Sequence, residues 1–138
     1  MRKPIHRKLE VTTNHWALIS GRSPTDALSF PSERLQVIVN DTSTPWRDTV
    51  AHAHRDSDEI YIVLEGKMVI AVNDELFNVA AGEVLCVPSG AVHQLVRVEV
   101  PHRSLVLRSP SVDDKIVESP SSMSWVKRIL SLKGDPAA

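Results

Sequence analysis

His52-Ala53-His54-Arg55-Asp56-Ser57-Asp58-Glu59-Ile60-Tyr61-Ile62-Val63-Leu64-Glu65-Gly66 is the stretch whose reading decides the fold. Successive side chains alternate across a β-strand, so His52 and His54 share a face and both imidazoles can reach one ion. Arg55 to Asp58 reads as a polar turn, after which Glu59 to Leu64 is β-branched, aromatic and aliphatic, the composition of a returning strand. Glu59 therefore offers an oxygen ligand where the chain comes back. His93 follows in a second block, after Gly82, Pro88 and Gly90. Three imidazoles and a carboxylate suit one divalent transition metal ion, Fe, Mn, Ni, Cu or Zn, rather than Ca or Mg, which prefer oxygen alone.

The two blocks resemble the motifs of the cupin superfamily. Its first motif, Gly-x5-His-x-His-x4-Glu-x6-Gly, is matched at His52, His54, Glu59 and Gly66; its second, Gly-x5-Pro-x-Gly-x2-His-x3-Asn, at Gly82, Pro88, Gly90 and His93. Trp46 stands where the first motif has glycine and Arg97 where the second has asparagine. The resemblance implies a small single-domain cupin with an antiparallel jelly-roll β-barrel, a metal held by His52, His54, Glu59 and His93, and a homodimer.

Composition agrees with an ordinary folded domain. The chain has 138 residues, 42% of them hydrophobic and 24% charged, which suits one domain spanning 1–138 and is short for two. A formal charge of −1 carries no footprint for nucleic acid or an anionic membrane. The basic start, Met1 to Glu10, precedes no apolar run of signal or membrane-spanning length, so a cytoplasmic protein without membrane contact is expected. The one cysteine, Cys86, can form no intrachain disulfide and is expected as a small core residue.

Short β-friendly segments separated by turn residues place the barrel core at about 34–110, with N-terminal strands in 9–20. Glu65-Gly66-Lys67 reads as a hairpin turn, with Gly66 able to supply a positive φ. Leu95 to Val100 and Ser104 to Leu107 read as separate strands. Trp125, Val126, Ile129 and Leu130 form an apolar arc at helical spacing, so a short C-terminal helix is expected at about 121–133.

Tyr61 shares strand parity with Glu59 and can present its hydroxyl to the pocket. Arg97 shares parity with His93 and, in an unbroken strand, would anchor a substrate carboxylate. Val50, Val63, Met68, Ile70 and Leu95 are the expected pocket walls, fit for a small organic ligand. Trp46 either covers the barrel mouth or packs its loop. His6, His15 and His102 read as ordinary polar histidines. Four protein donors leave positions open on a metal that takes five or six, the mark of a catalytic ion. The family resemblance favours a dioxygenase-type oxidoreductase; the alternatives are a Lewis-acid isomerase, lyase or cyclase on the same centre, or a non-catalytic metabolite-binding or sensing module.

Overall fold

The computed structural model describes residues 2–11, 15–48, 50–117 and 131. Nine strands are found among them: β1 (Trp16–Gly21), β2 (Phe30–Pro31), β3 (Gln36–Thr42), β4 (His52–His54), β5 (Asp58–Val72), β6 (Glu75–Ala80), β7 (Val84–Val87), β8 (His93–Ser109) and β9 (Lys115–Val117). The expected helix at 121–133 lies outside the described residues, and among the described residues no helix is long and apolar enough to cross a membrane.

Two strands of unusual length organise the rest. β5 and β8 run antiparallel and pair twice, Asp58 to Val63 against Ser109 to Ser104, and Lys67 to Val72 against Glu99 to His93. The first pairing sits inside a sheet ordered β7-β5-β8-β3-β1-β2, the second inside a sheet ordered β6-β5-β8-β4-β9. Each long strand thus belongs to both walls of a jelly-roll barrel. The ladder does not close into a ring, and β2 and β9 end its main path.

The hairpin expected at Gly66 is instead a bend within one continuous strand. Gly66 has φ 76°, and there the register skips so that it faces Val100 to His102 of β8. A methyl group at Gly66 would overlap the carbonyl oxygen of Glu99 and lie 2.6 Å from that of Pro101. Only a residue without Cβ lets the two backbones approach this closely. The two strands expected at 95–100 and 104–107 are likewise one, bent opposite the same glycine. A true hairpin follows at Asn73, whose φ of 51° turns β5 into β6.

The inner faces of the two sheets enclose the core. Val63, Met68 and Ile70 of β5, Val87 of β7 and Leu95 and Val98 of β8 are all buried there, and each fully buried aliphatic side chain contributes about 1.5–3 kcal/mol. Strand alternation explains Cys86: its neighbour Val87 faces inward, so Cys86 is exposed rather than buried in the core as expected.

The two positive-φ glycines Gly66 and Gly90 should separate backbone strain from crowding. Gly90 has φ 82°, but a methyl group there would meet only open space. Gly90→Ala should lower unfolding free energy by about 1 kcal/mol, whereas Gly66→Ala should cost about 3 kcal/mol or more because backbone must move. Urea denaturation of both variants reads the difference, and equal losses would contradict so close a crossing at Gly66.

Candidate metal centre

Three imidazoles from one sheet meet one carboxylate from the other. His52 and His54 are the alternate residues of β4, His93 opens β8 directly opposite His52, and Glu59 enters from β5 between Val87 and Arg108. All four are buried, and one ligand atom from each lies within 4.8 Å of the others. The rings of His52 and His93 are 4.3 Å apart between centroids, and those of His52 and His54 5.3 Å.

The donor set fits a transition metal ion. Bonds of roughly 2.0–2.2 Å to one ion place ligand atoms roughly 3–4 Å from each other. Nε2 of His93 lies 2.9 Å from Oε1 of Glu59, and Nε2 of His54 lies 3.6 Å from Oε2. The Nδ1 of His93 faces the carbonyl oxygen of Ala91 at 3.0 Å. A carbonyl only accepts, so this contact puts a proton on Nδ1 and turns Nε2 toward the cluster. His52 has a longer, weaker contact of the same kind, 3.5 Å from Nδ1 to the carbonyl of Val50.

Electrostatics prepare the cluster for a cation. Burial, followed by the charges of His93 and Lys115, lowers the His52 pKa to about 4. Burial also lowers His54, against the pull of Glu59 and Asp114. Both imidazoles are therefore neutral and free to donate a lone pair near neutral pH. For Glu59, burial raises the pKa, but the hydrogen bonds from His93 and Tyr61 and nearby positive charge outweigh it and hold the group below its ordinary value. His93 moves the other way: burial lowers its pKa, but the hydrogen bond and charge of Glu59 together raise it by more. The proton they share lies where the donors converge, a position a divalent cation would take over.

Asp114, which sequence reasoning missed, orients the cluster from outside. Its Oδ1 lies 3.2 Å from Nδ1 of His54 and accepts a hydrogen bond from Nη1 of Arg108 at 2.9 Å. Its Oδ2 accepts from the backbone N–H groups of Asp56 and Ser57, each at 2.9 Å, and from the Ser57 hydroxyl at 2.7 Å. Arg108 also donates to the Gln36 side chain at 2.8 Å and the Val112 carbonyl at 2.9 Å. Burial raises the Asp114 pKa, yet these donors and His54 overwhelm that effect and bring it down to about 2. One carboxylate thus ties the turn after β4 to β8 and to His54.

The cluster opens onto a cavity of about 920 Å³. It is lined by Trp16 and Leu18 of β1 with Arg22 just after it, and by Asp114 and Lys115 at β9. Tyr61 lines it, its hydroxyl donating to Oε1 of Glu59 at 2.6 Å. Met68 and Leu95 line it too, while Val63 and Ile70 lie in the core between the sheets and Val50 is absent from the lining. Trp46 lines the cavity and stacks on His15 at 4.4 Å, which gives that histidine a place at the site that its sequence context did not suggest.

Arg97 does not reach the cavity. Ile70 pairs with Leu95 but Val69 pairs with Arg97, so Val96 is an extra residue bulged out of β8. The bulge reverses parity: Leu95 and Val98 face inward and Arg97 faces away. This also accounts for the apolar stripe of Val96, Val98 and Val100, which an unbroken strand would have set against His93. Asp48, also missed, lines the cavity, its Oδ2 accepting from the Leu95 N–H at 2.8 Å.

Comparison with known proteins agrees with this architecture. A family model described as a cupin domain matches residues 34–103. An uncharacterized protein of Methanocaldococcus jannaschii, MJ1618, is 32% identical over 63 residues, 45% of this chain and 50% of that one. The chain spans half or less of the length of the relatives it matches by sequence. Among solved structures, Streptomyces Pac13, described as a nucleoside dehydratase, superposes with a TM-score of 0.55 at 13% identity, covering 81% of this chain and 92% of its own. The DMSP lyase DddQ from Ruegeria pomeroyi gives 0.57 at 20% identity, covering 76% and 51%. At these identities the structural likenesses establish the fold alone.

Asp114→Asn should test the outer clamp. The lost charge leaves Arg108 without its anion, and a destabilisation of about 2–4 kcal/mol is expected, with metal affinity about 10- to 100-fold weaker. The pKa of Asp114 is depressed on folding, so its stabilisation is complete above the ordinary value of 3.8 and disappears as pH falls through about 2. The variant should lack that part of the acid-unfolding profile; an unchanged profile would remove Asp114 from this role.

Proposed function

This chain belongs to the cupin family, and we propose that it is an enzyme using a metal ion held by His52, His54, Glu59 and His93 to carry out a proton-transfer reaction, an elimination or isomerisation, on a small organic molecule. The observation that carries this reading is the placement of two polar groups, Asp48 and Tyr61, in the cavity that three of the four donors, His52, His54 and Glu59, also line. Nucleoside dehydratase and DMSP lyase activities in proteins of like fold support the class of reaction without naming the substrate.

The bound ion would supply Lewis acidity, polarising an oxygen of the substrate. The residues supply the rest. Burial pushes the Tyr61 hydroxyl well above its ordinary pKa, and the charge of Glu59 pushes it further, so Tyr61 keeps its proton and serves as the hydrogen-bond donor that holds Glu59. Burial raises Asp48 as well, more than its bond from the Leu95 N–H and the charges of His93 and Lys115 lower it. A raised carboxylate is a stronger base than an exposed one, which suits Asp48 to take a proton from carbon. Leu18, Ile38, Met68 and Leu95 furnish apolar wall, and the low dielectric there strengthens each polar contact made inside.

An oxygen-dependent oxidoreductase is the second reading, favoured by the coordination positions that four protein donors leave open. A module that only binds a metabolite would have no use for a base such as Asp48 placed in the cavity beside the four donors.

The deciding experiment is elemental analysis of protein purified without a histidine tag or added metal, paired with activity screens in the presence and absence of oxygen. About one equivalent of a transition metal is expected in the wild type and little in His52→Ala or His93→Ala. Turnover should persist without oxygen, and Asp48→Asn should lower kcat by about 10²- to 10⁴-fold while retaining metal. Folded wild-type protein that takes up no metal on titration would overturn the metalloenzyme reading, and a strict need for oxygen would put the second reading first.

A further inference from the structure

Lys115 is placed where a structural role does not explain it. It pairs directly with His54 across the β4–β9 ladder, and residues directly opposite each other project to the same side of a sheet. Its side chain therefore points with His54 toward the cavity that both line. All three residues of β9 are exposed, so the strand adds little to the core and does not need a lysine on its inner side for packing. No hydrogen bond or ion pair joins the Lys115 side chain to any described residue, although its charge is felt at His52 and Asp48.

Charge balance points the same way. Arg108 and Asp114 already form a matched buried pair at 2.9 Å. Arg22 and Asp113 bring one exposed charge of each sign to the lining. A divalent cation on the four donors, together with Lys115, brings three positive charges against the carboxylates of Glu59 and Asp48. One positive charge is left over, carried by an exposed lysine on the cavity side of β9, within reach of a bound molecule. An anion carried by the substrate would remove that imbalance.

We propose that the substrate of this centre carries a carboxylate or phosphate group and that Lys115 is its anchor. The inference rests on the reading of His52, His54, Glu59 and His93 as a metal centre and adds to it the charge of the substrate. It moves the anion-binding role from Arg97, which the bulge at Val96 turns outward, to a residue of β9. With the anion held at β9, the uncharged part of the substrate extends past the donors toward Asp48 and Trp46.

Cobalt(II)-loaded protein separates the two claims through its visible absorption. Uptake of cobalt tests the centre itself, and failure to bind it would count against the metal reading before Lys115 is questioned. Given uptake, titration with malonate or with inorganic phosphate should produce a saturable change in the cobalt bands, and the anion bound more tightly identifies the group. Lys115→Ala should weaken that binding about 10- to 100-fold with cobalt still bound, and Lys115→Arg should restore most of it. Malonamide, the same size without the charge, should bind at least about tenfold more weakly to the wild type and be indifferent to Lys115→Ala. Equal anion affinity in the wild type and Lys115→Ala, a loss confined to Arg22→Ala, or no saturable binding of either anion would overturn the proposal.

Discussion

The antiparallel pairing of β5 with β8 is the contact on which the rest of the molecule depends. Each strand is central in two sheets, so the same pair of chain segments sets the register of both walls. Backbone groups buried in such a position must all be paired, which makes a slip of one residue prohibitive. Glu59 and His93 stand near the starts of these two strands and are brought to 2.9 Å by the bend that carries each strand from one wall to the other. The bend is possible because Gly66 brings nothing but backbone to the crossing. A mid-strand glycine that looks incidental to the site is thus a condition for its geometry.

The interior this produces holds a cluster of buried polar groups. His52, His54, Glu59, His93, Ser57, Ser104 and Asp114 are all buried, and such groups cost free energy unless each is matched. The matching is local and layered. Tyr61 and His93 satisfy Glu59, Asp114 satisfies His54, and Arg108 satisfies Asp114 while reaching Gln36 on β3. Removing one member leaves its partner buried with one bond fewer, so the outer members matter to the cluster although they lie outside it.

The inner ring of the site is legible in the sequence and the outer ring almost invisible. His52 and His54 declare themselves by parity, Glu59 and Tyr61 by parity on the returning strand, and His93 by the turn residues before it. These are short-range signals, carried by the two-residue period of a strand. Asp114 lies 60 residues from His54 in a polar stretch without periodicity, so nothing local marks it as a partner. Arg97 is misplaced by parity for a related reason: one extra residue at Val96 inverts the alternation, and a bulge of that kind is set by pairing with a distant strand rather than by composition. The apolar residues at Val96, Val98 and Val100 are its trace. Most strands follow the pattern of β-friendly segments and turns, and the departures at Gly66 and at 100–104 arise because a sharp bend carries the same residues as a strand end. β9 escapes detection because three residues, Lys115-Ile116-Val117, are too short a run to show a strand period although two of them are β-branched.

The division of the four donors between the two sheets has a bearing on which ions the site can accept. Three imidazoles ride on the β4 side of the barrel and the carboxylate on the other, so their separation is governed by the angle between two stiff bodies rather than by the rotamer of any one side chain. Preferred bond lengths differ among first-row metals by only tenths of an ångström. Differences that small are no basis for choosing among such ions, so selectivity at a site of this make-up follows supply and the chemistry of the ligand atoms more than hole size.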